Sequence, residues 1–394
     1  MRDDTCDMQP AQAGEAGATT HVVAGPSSDM AAIGRRVARH CTAYREPDTR
    51  RALIEIAATF LPLCALMAAM VVSLDYGYWI TLLISVPAGA LLMRMFIIQH
   101  DCGHGSFLPS KRVNDWLGRT ISLITFTPYA YWRRAHALHH ATSGNLDRRG
   151  VGDVTTWTLR EYYDRPWWIR MWYRIYRNPF FLLGFGAPFH FAIRQRIPGA
   201  IQRPFWDTWG STIGLDLALI AAYGGLGMMI GFVTLAKLFL PVVLFGSWIG
   251  GWLFYIQHQF EDTHWEENKD WDFHSAAILG SSYYVLPKPL QWLSGSIGLH
   301  HLHHLCSRIP FYRLQECLDA SPELKTVNRL TFKDSVGTWS LALWDEENRK
   351  LVGFGQPGQS RSFAGRIAAG GIRLGSLSTQ ATRFVVVLLA RGFS

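Results

Sequence analysis

The sequence predicts an all-α integral membrane protein, with four transmembrane helices in two hairpins that carry a cytoplasmic helical domain. Three observations predict it. Four apolar runs, at about 52–74, 77–99, 211–236 and 238–257, each supply the roughly 20 residues that a hydrocarbon core of about 30 Å requires. The links inside the two pairs, around Asp75 and around Lys237, are only a few residues long, so each pair turns back as a tight hairpin. Arg35, Arg36, Arg39, Arg45, Arg50, Arg51 and an Arg-rich stretch between the hairpins then share one side, against a single acidic residue at the first tip. The positive-inside rule puts that side, with both termini and the segments 100–210 and 258–350, in the cytoplasm.

Composition agrees. A chain of 394 residues is long enough for two or three ordinary domains, but 49% hydrophobic residues with 16 Trp and 22 Phe direct it to lipid. Buried helices of a large soluble core are the alternative, and they would need the charge asymmetry to arise by accident. The formal charge is +8. No nucleic-acid partner is expected. From Leu351 onward there are arginines and no acidic residue, which sets a basic C-terminal tail, 351–394, apart from a membrane domain, 51–350, and an N-terminal approach, 1–50. The tail's last apolar run, ending at Ala390, is too short to span. Residues 1–30 are rich in Ala, Gly, Ser and Thr, and Asp3, Asp4 and Asp7 stand where a signal peptide needs positive charge. They read as a disordered, uncleaved cytoplasmic tail. Six scattered cysteines suit reduced thiols in a cytoplasmic setting.

Between the hairpins basic residues outnumber acidic ones, and the apolar stretches 116–128 and 180–193 are too short to cross. They read as interfacial or re-entrant helices. Trp157, Trp167, Trp168 and Trp172 fit an aromatic belt. Arg94 and Asp216, near the ends of their runs, read as interfacial side chains reaching headgroups or the polar domain. The segment 314–350 reads as polar helix and loop.

Chemistry gathers in three histidine boxes. The second apolar run ends in QHDCGHGSF, with His100 and His104 one helical turn apart. HALHH supplies His136, His139 and His140, and HHLHH supplies His300, His303 and His304. Positions i, i+3 and i+4 share a helix face, so each H-x-x-H-H box is expected to present three imidazoles to one point. Eight imidazoles are too many for one ion, since a structural zinc takes four ligands. Two ions are the natural reading. No HExxH motif and no cysteine pair at zinc spacing occur, and imidazole suits iron, copper, nickel and zinc alike. Cys102, between box histidines, reads as a small packing residue. His301 points about 100° away from His300 on a helix and reads as a hydrogen-bonding or surface residue; His190, His264 and His274 also stay outside the site.

These motifs resemble the membrane fatty acid desaturases, in particular the acyl-lipid omega-6 (delta-12) branch of bacteria. The resemblance runs from about Leu91 to Leu324 through HDCGHGSF, WRRAHALHHATSGNLDRRGVGDV, HQFEDTHW and GSSYYVLPKPLQWLSGSIGLHHLHHLCSRIPFYRLQ. It implies a ninth ligand, His258, and with it a histidine-box di-iron site of two Fe ions with O2 as co-substrate. It also implies insertion of a cis double bond into a membrane-lipid acyl chain, oleoyl to linoleoyl. The omega-3 and delta-9 regiochemistries are the alternatives, as are hydroxylation and acetylenation on the same scaffold. A non-enzymatic metal-binding or transport protein is the reading from another class, and would place polar ligands at mid-bilayer instead. No cytochrome b5 domain, C-x-x-C spacing or G-x-G-x-x-G follows. Electrons must therefore come from an external donor, a ferredoxin or alternatively a cytochrome b5 type, steered by a basic face. The bacterial branch implies the inner membrane. Glu261 and Asp262 are candidates for orienting ligand imidazoles. His264 stands where this branch usually has tyrosine, and Ser296 where it usually has asparagine.

Overall fold

The computed structural model describes residues 27–198 and 205–355. The expectations for residues 1–26 and for most of the C-terminal tail, 356–394, lie outside the described residues. The first five helices are α1 (Ser27–His40), α2 (Thr49–Ser73), α3 (Tyr78–His104), α4 (Lys111–Thr125) and α5 (Tyr129–Thr142). Then come α6 (Leu159–Tyr163), α7 (Trp167–Arg177), a π-helical turn (Phe180–Gly186), α8 (Ala187–Ala192), α9 (Phe205–Ile230) and α10 (Phe232–His258). Five short helices close the chain: α11 (Phe273–Leu279), α12 (Lys288–Leu293), α13 (His300–Leu305), α14 (Phe311–Asp319) and α15 (Phe332–Gly337).

Among the described residues, helices α2, α3, α9 and α10 are the four that are long and apolar enough to cross a membrane. Large apolar side chains such as Leu61 and Val72 on α2, and Ile220 and Met229 on α9, are exposed, as lipid-facing residues of spanning helices are. Glycine makes both hairpin tips. Gly77 has φ 142° and Gly231 has φ 86°, a region that side-chain-bearing residues rarely enter. The second tip is therefore at Gly231 rather than at Lys237. Lys237 continues α10 with its ammonium over the Tyr78 ring, 5.9 Å from the centroid, so a charge near a helix end did not mark the turn.

Helix α3 is the hub, packed between α2, α4 and α10. It meets α10 where Gly89 faces Gly246; a Cβ on Gly89 would lie 2.6 Å from Phe245 Cβ, so small residues let these backbones approach. Arg94 is buried at 1% exposure and does not reach headgroups. It pairs with Glu55 of α2 and donates to Thr59 Oγ1 at 3.0 Å and to the Trp292 carbonyl, with its guanidinium 4.1 Å from the Trp292 ring centroid. The paired charge joins the first hairpin to α12, as a buried guanidinium must be paired to be tolerated.

Beyond the spans two minimal sheets appear in the mostly helical cap. Strand β1 (Trp157–Thr158) pairs parallel with β4 (Leu343–Asp345), which pairs antiparallel with β5 (Lys350–Val352); β2 (Tyr283–Tyr284) pairs parallel with β3 (Arg329–Leu330). Leu351 and Val352 are thus buried in a strand rather than opening a free tail, because each packs on one face of the sheet, Val352 with its partner Leu343 and Leu351 with its partner Trp344. Trp157 is likewise no belt residue: it is buried and stacks on Tyr173 at 4.1 Å in this cap. Trp167 and Trp172 are exposed on α7, as a belt requires.

Candidate metal centre

Four helix ends converge at one end of the spans. Helix α3 brings His100 and His104 in its last turn and stops at Gly105, whose φ of 67° ends the helix in the left-handed region. Helix α10 ends on His258, α5 carries His136, His139 and His140, and α13 carries His300, His303 and His304. The structure brings all nine together in two groups, His100, His104, His136, His140 and His303 in one, and His139, His258, His300 and His304 in the other. Within each group the donor nitrogens lie within 4.8 Å of one another.

This grouping corrects the expectation that each box aims at one point. In both H-x-x-H-H boxes the i, i+4 pair enters one group and the i+3 histidine enters the other. The reason is angular. At 100° per residue, i+4 lies about 40° from i, whereas i+3 lies about 60° to the other side and 100° from i+4. His136 and His140 therefore face one centre while His139 faces the second, and His300 with His304 reverses the arrangement relative to His303.

Inside the groups His136 Nε2 stands 2.9 Å from His100 Nε2, 3.1 Å from His104 Nε2 and 3.0 Å from His140 Nε2. His258 Nε2 stands 3.1 Å from both His139 Nε2 and His300 Nε2. A ring nitrogen has one hydrogen or one lone pair, so hydrogen bonding cannot satisfy three such contacts at once. A shared cation can. Two imidazole nitrogens each about 2.1 Å from one ion at a right angle stand about 3.0 Å apart, which is the spacing found. Burial and the neighbouring histidines hold His136, His140, His300, His303 and His304 well below the usual imidazole pKa. They are neutral at pH 7, the form that ligates.

Three outer nitrogens have partners that fix the tautomer and leave Nε2 facing inward. His100 Nδ1 meets Asp101 Oδ1 at 3.0 Å, His139 Nδ1 meets Asp153 Oδ1 at 2.8 Å, and His258 Nδ1 meets the Gly280 carbonyl at 2.9 Å. Asp101 Oδ2 also accepts from the Phe311 amide at 2.6 Å, tying the first box to α14. These carboxylates hold the places proposed for Glu261 and Asp262, which are both exposed, with Glu261 3.0 Å from Lys350. The missed signal was adjacency for Asp101 and the GVGD tetrapeptide for Asp153. Gly150 and Gly152 have φ of 103° and 71°, and a Cβ on Gly152 would lie 2.9 Å from His139 Cβ. Only glycine lets that loop close on the box.

The other histidines among the described residues stand outside both groups. His301 is buried, its Nε2 3.1 Å from the Leu324 carbonyl, and His264 Nε2 lies 3.8 Å from Glu266 Oε1. His274 packs on α1, and His190 lines a cavity without joining the groups. Cys102 is buried and likewise joins neither. The cavity His190 lines holds about 230 Å³ and is walled mostly by apolar side chains, among them Phe96, Trp132, Leu182 and Phe254; His100, His136 and His300 border it. Both groups therefore face one apolar space.

Spans, cap and paired polyhistidine groups able to hold metal define an integral membrane protein with an apolar space beside its candidate metal centre. Residues 76–330 match the family model described as fatty acid desaturase. The chain is 38% identical over 322 residues, 81% of its length and 90% of the relative's, to a "Fatty acid desaturase" of Bacillus subtilis. It is 28% identical over 245 residues (59% of this chain, 64% of the relative) to an "sn-1 acyl-lipid omega-3 desaturase (ferredoxin)" of Synechocystis sp.. An "sn-1 oleoyl-lipid 12-desaturase" of Synechocystis sp. is 26% identical over 229 residues (58% and 64%). The chain belongs to the fatty acid desaturase family, and it is an oxidoreductase.

Proposed function

We propose that this chain inserts a cis double bond at the omega-6 (delta-12) position of monounsaturated chains on membrane glycerolipids, using two irons, O2 and a ferredoxin-type donor. The observation that carries this reading is that both histidine groups face one apolar cavity at the end of the spans. The reaction converts –CH2–CH2– with O2, two electrons and two protons into –CH=CH– and two waters. Bound iron supplies the dioxygen chemistry that no side chain can. His100, His104, His136, His140 and His303 would hold one ion, and His139, His258, His300 and His304 the other. Asp101, Asp153 and the Gly280 carbonyl hold the imidazoles in register. The apolar walls seat the chain beside His100, His136 and His300 and exclude water from the reacting carbons. The name of the 28% identical relative supports ferredoxin as donor, and the excess of arginine on the histidine side suits an acidic protein.

The test is expression in a host without polyunsaturated lipids, followed by gas chromatography with double-bond location. Oleate converted to linoleate is expected. No new double bond sinks the reading. Linoleate converted to a triene with oleate untouched would favour omega-3 chemistry, the second reading, which the omega-3 name of the same relative supports. We also place both termini and all nine histidines on the cytoplasmic face of the bacterial inner membrane. Cysteines introduced at the exposed Asp75 and Arg148 should then label from opposite sides; labelling from the same side overturns that topology.

A further inference from the structure

Two apolar cavities follow one another along α10. The first, about 230 Å³, reaches from the histidine end to Gly250; the second, about 810 Å³, runs from Ser247 to Phe232 between α3, α9 and α10. Met93, Phe96 and Phe191 line both, with the Phe96 and Phe191 rings edge-on at 5.8 Å. One partition therefore separates a space that rises to the histidines from one that descends between membrane-spanning helices.

The turn just after Phe191 also touches both. Arg194 and Gln195 line the first cavity and Arg196 the second. Gln195 is 2% exposed. Arg196 pairs with Asp216 of α9 at 2.9 Å and donates to the Phe126 carbonyl. A polar turn thus marks the fork between two apolar spaces. Its depth fits an interface. Helix α10 has 27 residues, about 40 Å, roughly 10 Å more than the hydrocarbon core. With its histidine end protruding, Ser247 and Gly250 lie about 12–16 Å below His258, near the level where acyl chains give way to headgroups.

We infer that the two cavities receive the two acyl chains of one diacyl glycerolipid. The reacting chain turns up to the histidines and the second chain lies down between α3, α9 and α10. Phe96 and Phe191 part the chains, and the ester and phosphate oxygens lie at the Arg194–Arg196 turn, where guanidinium and amide N–H groups donate to them. The inference rests on the acyl-lipid desaturation reading and names its substrate class: a two-chain lipid fills both spaces, while a free acid, a thioester or a lysolipid leaves the second one empty.

The test compares oleoyl chains on dioleoyl phospholipid and on oleoyl lysophospholipid, with full-length iron-loaded protein in nanodiscs. Ala236→Trp and Leu240→Trp each place an indole in the second cavity from exposed positions of α10, where folding tolerates it. Each should raise KM for the diacyl lipid about fivefold more than KM for the lysolipid, with the loss in KM rather than kcat. Native mass spectrometry gives a second readout without turnover: retained diacyl phospholipid should be present in the wild type and lost in both variants. Equal effects on the two lipids, or undiminished retention, overturn the two-chain inference while oleoyl desaturation stands. A wild type inert on both lipids overturns the desaturation reading itself.

Discussion

The five-histidine group and the four-histidine group come from the same boxes by different routes. Four members of the first are i, i+4 pairs on two helices, His100 with His104 and His136 with His140, and His303 completes it from α13. The second has a single such pair, His300 with His304, and takes His139 and His258 one at a time from α5 and α10. One group is largely local and the other is assembled by tertiary packing. The boxes are therefore not the sites. Because α5 and α13 each send one histidine across, neither group can form without the helices of the other.

The largest effect should come from thinning the smaller group. His258→Ala leaves three nitrogens where four stood, whereas His303→Ala leaves four of five. Each should lower turnover at least about 100-fold, more than the 10–100-fold typical of losing a ligand's hydrogen-bonded support. Metal analysis should separate them, with His258→Ala losing about one bound ion per chain and His303→Ala retaining more. Equal metal in both variants would break the division into five and four. His301→Ala, which removes a bond to the Leu324 carbonyl and no member of either group, should keep its bound metal and most of its activity.

A middle effect sharpens the contrast from the supporting residues. Asp153→Asn weakens the hold on His139 alone, so activity should fall about 10–100-fold with the five-histidine group intact. Gly152→Ala acts on the same histidine through the backbone. It asks alanine to adopt a φ of 71° and places a methyl 2.9 Å from His139 Cβ; the conformation alone costs about 1–2 kcal/mol. Thermal unfolding should show that loss. A Gly152→Ala protein as stable and active as the wild type would mean that the loop does not position His139.

What was legible in the sequence follows this division between local and tertiary. Apolar runs announced four spans, because length and composition are local properties. The second tip was misplaced because an apolar run carries no mark of where it bends, and Gly231 was a subtler signal than Lys237. The nine histidines were legible by spacing and resemblance, but their sorting into two groups was not, since it depends on how α5 and α13 are rotated against each other. The supporting carboxylates were missed for a similar reason. Glu261 and Asp262 are near His258 in sequence, yet the chain turns them outward, while Asp153 returns from 14 residues beyond His139 through a glycine-shaped loop. Trp157 shows composition misleading in the other direction, since an aromatic between basic residues fits a belt and a small cap core equally well.

The smallest expected effect concerns the approach to α13, the helix that divides its box between the groups. Ser296 has φ 54°, a left-handed conformation in which a serine is uncommon and asparagine is several-fold enriched. Gly295 before it has φ 57°, and a Cβ there would lie 2.6 Å from Ile97 Cγ2, so the chain is pressed against α3 and has no freedom to relax. The Ser296 amide donates to the Gln291 carbonyl at 2.8 Å, holding the turn in this shape. This explains in backbone terms why the resembling branch usually carries asparagine here. Ser296→Asn should stabilise the protein by about 0.5 kcal/mol, a fraction of the roughly 1–2 kcal/mol that the left-handed conformation costs an ordinary residue. Bound metal content should stay the same, since residue 296 belongs to neither histidine group. A lower unfolding temperature in Ser296→Asn would show that serine is retained for a contact of its hydroxyl rather than tolerated in a strained turn.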